Sequence, residues 1–224
     1  MPYQRKTAVR TRYARILLAG CAAVLAAALS VTTALAATTW TIRPGGAITA
    51  KSGTATFKDT KNRQMFTCQS LSARGMLKAG SGLSGSHAGS ISAVGFHTCT
   101  SPLGRLRAPR VDLIWTLQAT GLPWRVNFSS FNGGVVTGTI GHMQIKVSAN
   151  APCSFVLDGT SATARDGMLS FTYTDSTGRL TLLTTGGKLH SYNVFGCAGL
   201  FNNGNPVTIG ATFTLSPKQT VTSP

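Results

Sequence analysis

Four histidines (His87, His97, His142 and His190), five aspartates and no glutamate are the side chains this sequence offers for proton transfer. A carboxylate pair for acid–base work would need two of Asp59, Asp112, Asp158, Asp166 and Asp175, and nothing in their spacing puts two together. Chemistry built on glutamate, such as a glycosidase Glu pair or an HExxH metal site, is excluded by composition. A nucleophilic site needs a hydroxyl or thiol, a base and an oxyanion pocket. Serine is plentiful but never sits in Gly-x-Ser-x-Gly; Gly82-Leu-Ser84-Gly-Ser86 lacks the last glycine. Asp158 and Asp166 each precede a glycine, and Asp175 comes three residues before Gly178, so these three read as turn formers. Asp59 and Asp112 are left as free carboxylates, and the histidines as surface or satisfied polar groups. A hydrolase with a cryptic Ser/His/Asp site stands as an alternative.

Five cysteines are present. No Cys-x-x-Cys and no clustered histidine accompanies them, and His87 and His97 would need a folded loop to share an ion, so no metal and no cofactor is expected. Cys21 lies in the N-terminal leader described below. The remaining four suit two disulfides, for which Cys68–Cys99 and Cys153–Cys197 are the expected pairs. The choice rests on an echo: Ala73-Arg-Gly-Met-Leu77 follows Cys68, and Ala164-Arg-Asp-Gly-Met-Leu169 follows Cys153, each expected as a turn. Each block ends in Phe-x(1–2)-Cys-x(2–3)-Leu.

Charge is the strongest bias in the sequence: 21 Lys and Arg against five acids, a net charge of +16. Arg105, Arg107 and Arg110 form the densest cluster, and Lys58, Lys61 and Arg63 a second. Such clusters bind polyanions through charge rather than sequence reading. No nucleic-acid motif is present, so the expected partner is an anionic cell-wall or membrane surface. Trp124, in Gly121-Leu-Pro-Trp-Arg125, is either a core residue or an aromatic contact for a ligand. Asn127-Phe-Ser129 matches a glycosylation sequon.

These groups must be positioned by strands. Period-2 alternation marks 54–57, 111–120, 135–140, 143–148, 168–174 and 207–215, in runs rich in Thr, Val and aromatics. Turn dipeptides separate them: Asn132-Gly133, Asp158-Gly159, Asp166-Gly167, Gly186-Gly187 and Asn203-Gly204. The expected fold is all-β, an antiparallel β-sandwich or barrel stapled by disulfides. The Gly/Ser-rich stretch 78–92 is expected as a long surface loop, with a flat glycine-rich strand as the alternative. No segment after residue 37 has a helical period.

Residues 1–36 read as a secretory signal helix. Arg5, Lys6, Arg10, Arg12 and Arg15 precede an apolar run from Ile16 to Leu29, and Ala34-Leu-Ala36 closes it. Cleavage after Ala36 by the general secretory route is expected, since no arginine pair marks the twin-arginine route. An uncleaved membrane anchor through 16–36 and lipidation at Cys21, in Leu18-Ala-Gly-Cys21, are the alternatives. Residues 37–224 then make one β domain, or two fused β halves at about 37–120 and 121–224, with 16 basic and five acidic residues, a charge of +11.

The leader, the Ala/Thr/Gly/Ser usage and several phrases resemble a group of secreted actinobacterial proteins of unassigned function. The phrases are Gly121-Leu-Pro-Trp-Arg125, Leu183-Thr-Thr-Gly-Gly187 with Leu189-His190, and Cys197-Ala-Gly-Leu200 with Asn203-Gly204. The resemblance implies export and carries no catalytic residue. The leading expectation is a secreted, non-catalytic β domain that binds an anionic surface or partner. A hydrolase and a membrane-active β-protein are the rivals.

Overall fold

A computed structural model describes residues 39–102 and 112–224. The leader, Cys21 and the cluster Arg105, Arg107 and Arg110 lie outside the described residues. Within them are sixteen strands and no helix: β1 (Thr39–Arg43), β2 (Gly46–Ser52), β3 (Ala55–Asp59), β4 (Met65–Leu77), β5 (Gly80–Ser84), β6 (Gly89–Pro102), β7 (Asp112–Thr120) and β8 (Trp124–Asn132), then β9 (Val135–Ala149), β10 (Ser154–Asp158), β11 (Gly167–Thr174), β12 (Arg179–Leu182), β13 (His190–Phe195), β14 (Val207–Gly210), β15 (Thr212–Ser216) and β16 (Thr220–Thr222). Alternation decides the faces. In β11, Gly167, Leu169, Phe171 and Tyr173 are buried, while Met168, Ser170, Thr172 and Thr174 are only half-buried.

Eight strands close an antiparallel barrel in the order β2-β4-β6-β8-β9-β11-β12-β15 and back to β2. Closure removes the free edges that an open sheet would expose. The strands β4, β6 and β9 run 13, 14 and 15 residues and continue past this barrel. Their far halves pair with other strands in the order β14-β3-β4-β6-β7-β9-β10-β13. A bridge between His190 and Pro206 joins β13 to the residues leading into β14. Each circuit draws on strands from before and after residue 120, so no boundary between sheets falls there.

The expected strands at 135–140 and 143–148 are one strand, β9, bent where the pairing with β11 shifts register between Met143 and Gly141. The expected run 207–215 is divided instead. β14 pairs with β3 in the second circuit, and past Ala211 β15 pairs with β12 and β2 in the first. The stretch 78–92 is no loop: Gly80–Ser84 forms β5 on β1, and β6 starts at Gly89. The glycines that made it look loop-like leave a flat ribbon, and the edge of β1 supplies the missing partner.

Two cores result. Around the second circuit, Phe57 stacks on Phe66 (ring centroids 4.7 Å apart) and Phe66 on Trp115 (4.9 Å). Phe155 stacks on Phe201 (4.5 Å), and Trp115 meets both edge-on. Stacked and edge-on pairs like these add to what burial alone contributes. In the first barrel Phe128, Ile140, Phe171 and Leu215 surround an apolar cavity of about 70 Å³. Val221 of β16 and Gln219 reach the same cavity, and Trp40 of β1 packs 5.2 Å from Phe128. Gln219 is fixed there by its main chain: Tyr173 donates its hydroxyl to Gln219 O (2.7 Å), and Gln219 N donates back to that hydroxyl (2.9 Å). Burial pushes the Tyr173 phenol up. Asp175 accepts Val221 N (3.0 Å) with Oδ2, while its buried Oδ1 has no partner, and burial pushes this carboxyl up too.

Both disulfides form as paired above. Cys68 and Cys99 face each other in register across β4 and β6. Cys153, ahead of β10, bonds Cys197 beyond β13. The echo behind that choice has no structural counterpart. Gly75-Met-Leu77 continues the strand that carries Cys68, whereas Gly167-Met-Leu169 opens β11, one strand after Cys153. Neither is a turn.

Candidate functional site

The β10–β11 loop, residues 159–166, is organised by one carboxylate. Asp158 is fully buried. Its Oδ1 accepts the N–H groups of Gly159 (2.7 Å), Asp166 (2.9 Å) and Gly167 (3.1 Å). Its Oδ2 accepts Arg165 N (2.9 Å) and Gln144 Nε2 (2.9 Å). Gln144 also donates to Ala162 O (2.9 Å) and accepts the Thr120 hydroxyl at 2.7 Å. Thr120 O in turn receives the Trp124 indole N–H at 3.0 Å. One chain of hydrogen bonds therefore ties the end of β7, the start of β8, strand β9 and this loop together. Trp124 belongs to it as a buried wall, 3% exposed, and not as an aromatic face offered to a ligand.

The loop's far side is held by Asp166. It accepts Thr160 N and Thr160 Oγ1 (both 2.9 Å) and Lys188 Nζ (2.8 Å). The Lys188 and Thr160 hydrogen bonds hold its carboxyl down at about 2, against the opposing effect of burial. So anchored, the loop presents Arg165 with a backbone φ of 52°. The Arg165 stem crosses Gly121 in the β7–β8 turn. A Cβ at Gly121 would sit 3.2 Å from Arg165 Cδ, close enough to nudge that side chain, and the φ of 67° at Gly121 is what calls for glycine in the turn.

Two more side chains reach the same place from strained backbone. The register shift in β9 leaves His142 as the extra, unpaired residue of a β-bulge, with a φ of 61°. Bulges re-aim side chains in this way. His87 has a φ of 52° in the β5–β6 turn. That turn is pinned by Asn127, whose Oδ1 accepts His87 N at 2.8 Å, and by Phe128 N donating to Gly85 O at 2.9 Å. The sequon asparagine is thus spent on holding a turn. Lys78, just past β4, and Arg125 on β8 complete the set.

These five side chains line an open cleft of about 650 Å³, with Met76, Leu77 and Pro123 as its apolar part. No carboxylate lines it. Lys78, Arg125 and Arg165 are exposed, so they carry fixed charge at modest desolvation cost. The arrangement suits an anion; Ser90 lines it as well, and among the described residues no hydrogen bond joins its hydroxyl to His87 or His142.

The sequence singled out other positions. Lys58 near the end of β3, and Lys61 and Arg63 on the β3–β4 turn, are exposed charges. Asp59 is not the free carboxylate expected there. It is fully buried and accepts Lys61 N (2.9 Å), Asn62 N (2.8 Å) and Asn205 Nδ2 (2.8 Å). Ser72 Oγ lies 3.1 Å from His97 Nε2 on neighbouring strands, the one Ser–His hydrogen bond among the described residues. No aspartate reaches that histidine. Asp112, the remaining carboxylate, stands opposite Pro102 at the far end of the β6–β7 pairing. His190 donates its Nδ1–H to Gly159 O at 3.0 Å and serves the β10–β11 loop. Among the described residues no three His, Cys, Asp or Glu side chains gather around a common point.

No family model, no curated protein and no solved structure matches the chain. The cleft residues were visible in sequence only piecemeal. The gap between the two alternating runs at Gly141-His142 was the trace of the bulge, and the aspartates flanking 159–165 were the trace of the anchored loop. No local signal joins residues 78, 87, 125, 142 and 165, because four separate strand pairings bring them together.

Proposed function

We propose that this protein is an exported, non-catalytic β-barrel that binds an anionic ligand or surface outside the cytoplasm, using the cleft of Lys78, His87, Arg125, His142 and Arg165. Two disulfides fit an oxidising compartment, the setting in which such bonds persist. The leader expected over residues 1–36, with cleavage after Ala36, supplies the route, and the resemblance to secreted actinobacterial proteins agrees with it. A wall polymer or an anionic membrane surface is the partner such a protein would meet.

The observation that carries this reading is the cleft itself: three fixed cations and two imidazoles with no carboxylate among them. Attraction of that kind is screened by salt. On an immobilised polyanion at neutral pH, Arg125→Ala with Arg165→Ala should elute at clearly lower salt than the unaltered protein. Lys58→Ala with Lys61→Ala removes the same charge from the end of β3 and the turn after it, and should shift elution less. Equal shifts for the two double variants would mean that diffuse charge, and not the cleft, does the binding.

A further inference from the structure

We infer that the cleft takes a phosphorylated ligand, gripping a phosphoryl group with its cations and seating an attached apolar or ring portion on Met76, Leu77 and Pro123. This rests on the anion-binding role proposed above and names the ligand class.

Charge is the first argument. Lys78, Arg125 and Arg165 bring three fixed positive charges to a cleft without a carboxylate. The two carboxylates of the neighbouring loop are used elsewhere: Asp158 on backbone N–H groups and Gln144, Asp166 on Lys188 and Thr160. A carboxylate ligand, with one negative charge, would leave two cations unanswered. A phosphate monoester carries close to two charges at neutral pH.

Direction is the second. The five groups come from five segments: the end of β4, the β5–β6 turn, β8, the β9 bulge and the β10–β11 loop. A planar carboxylate is satisfied by the fork of one arginine. Donors arranged around a space suit a tetrahedral oxyanion with three terminal oxygens.

Backbone conformation is the third. Seven non-glycine residues among the described ones have left-handed φ, and three of them, His87, His142 and Arg165, line this cleft. Glycine suits such positions better. Strain retained around a cleft points to side chains kept for what they contact there. Size agrees: about 650 Å³ lies within the ordinary range for small-molecule sites, and Met76, which lines the cleft, is 60% exposed.

The test is calorimetric titration of the purified protein with phenyl phosphate, inorganic phosphate and benzoate at neutral pH. Phenyl phosphate should bind at least tenfold tighter than benzoate, and also tighter than inorganic phosphate. Arg125→Ala and Arg165→Ala should each weaken phenyl phosphate by tenfold or more. His142→Gly should weaken it while leaving the melting temperature unchanged or raised, which a purely structural role for His142 would not do. Benzoate binding as tightly as phenyl phosphate overturns the phosphoryl assignment and leaves the anion-binding role intact. If none of the three ligands binds and the paired arginine variant still elutes from a polyanion like the unaltered protein, both fall.

Discussion

Replacing Asp158 by asparagine changes one atom of a buried side chain and should be among the costliest single substitutions in the protein. The carboxylate accepts five hydrogen bonds, three on Oδ1 and two on Oδ2. All five donors are N–H groups, so an amide has no good orientation. With its oxygen in place of Oδ1, its NH₂ faces Arg165 N and Gln144 Nε2, donor against donor. Flipped, it opposes three backbone donors. The better choice loses two hydrogen bonds to a charged acceptor, each worth about 1.5–3 kcal/mol, so Asp158→Asn should cost about 3–6 kcal/mol. Domains of this size are stable by about 5–15 kcal/mol in total. Urea unfolding followed by tryptophan fluorescence measures the change, with Asp112→Asn on an exposed carboxylate as a control expected within about 0.5 kcal/mol. Because Asp158 also holds Arg165 N, any folded Asp158→Asn protein should bind phenyl phosphate as poorly as Arg165→Ala does. A cost below about 1 kcal/mol, or full affinity in the variant, would refute the view that this carboxylate builds both the loop and the cleft wall.

Reducing the disulfides should lower stability substantially. The bridges span separations of 31 and 44 residues, and loop-closure entropy assigns each up to about 4 kcal/mol. Cys153→Ser with Cys197→Ser should therefore shift the urea midpoint well down, and an unmoved midpoint would show that the native pairings already hold those ends. Asp175→Asn should act in the opposite direction. Burial raises the Asp175 carboxyl above its ordinary 3.8, so the folded state binds that proton more tightly than the unfolded chain does. Its stabilisation is complete below 3.8 and is lost as pH rises through the raised value. Asparagine keeps an acceptor for Val221 N without the charge, so the variant should be at least as stable as the parent at pH 7, with the gap narrowing towards pH 4. Asp166 has the opposite sign, since its carboxyl is held at about 2, and it contributes a loss of stability only below 3.8. The stability difference between parent and variant, followed from pH 4 to pH 7, isolates Asp175 because every other titrating group is common to both, and a variant less stable than the parent at pH 7 would contradict the assignment.

Side-chain alternation carried the fold because it is a local property. Val135 to Ile140 alternates, and Ile145 to Ser148 alternates again after the bulge, so both runs could be read without knowing their neighbours. The same locality explains the misreadings. Gly80–Ser84 has no apolar alternation of its own and becomes a strand only because β1 offers it an edge. Asp59 looked free among lysines, since its three donors, Lys61 N, Asn62 N and Asn205 Nδ2, come from a turn and from a residue far along the chain. The division at Ala211 is likewise tertiary: the alternation runs on, but the pairing partners change from β3 to β12 and β2.

The cleft and the acid count are two sides of one allocation. Four of the five aspartates hold backbone: Asp59 the β3–β4 turn, Asp158 and Asp166 the β10–β11 loop, Asp175 the main chain of β16. A buried carboxylate that accepts several N–H bonds is a strong local organiser, and a chain with no glutamate has few to spare for the surface. The excess of lysine and arginine then meets little opposing charge outside. Among the described residues most of it is spread over outward strand faces and turns, as at Lys58 and Lys61, where it does little beyond repelling like charge. In one place a bulge, two turns and an anchored loop draw Lys78, Arg125 and Arg165 to a common concave surface with His87 and His142. There the same excess makes the proposed site, and the selectivity proposed for it would follow from how rigidly Asp158 and Asn127 hold the walls, more than from the net charge of the molecule.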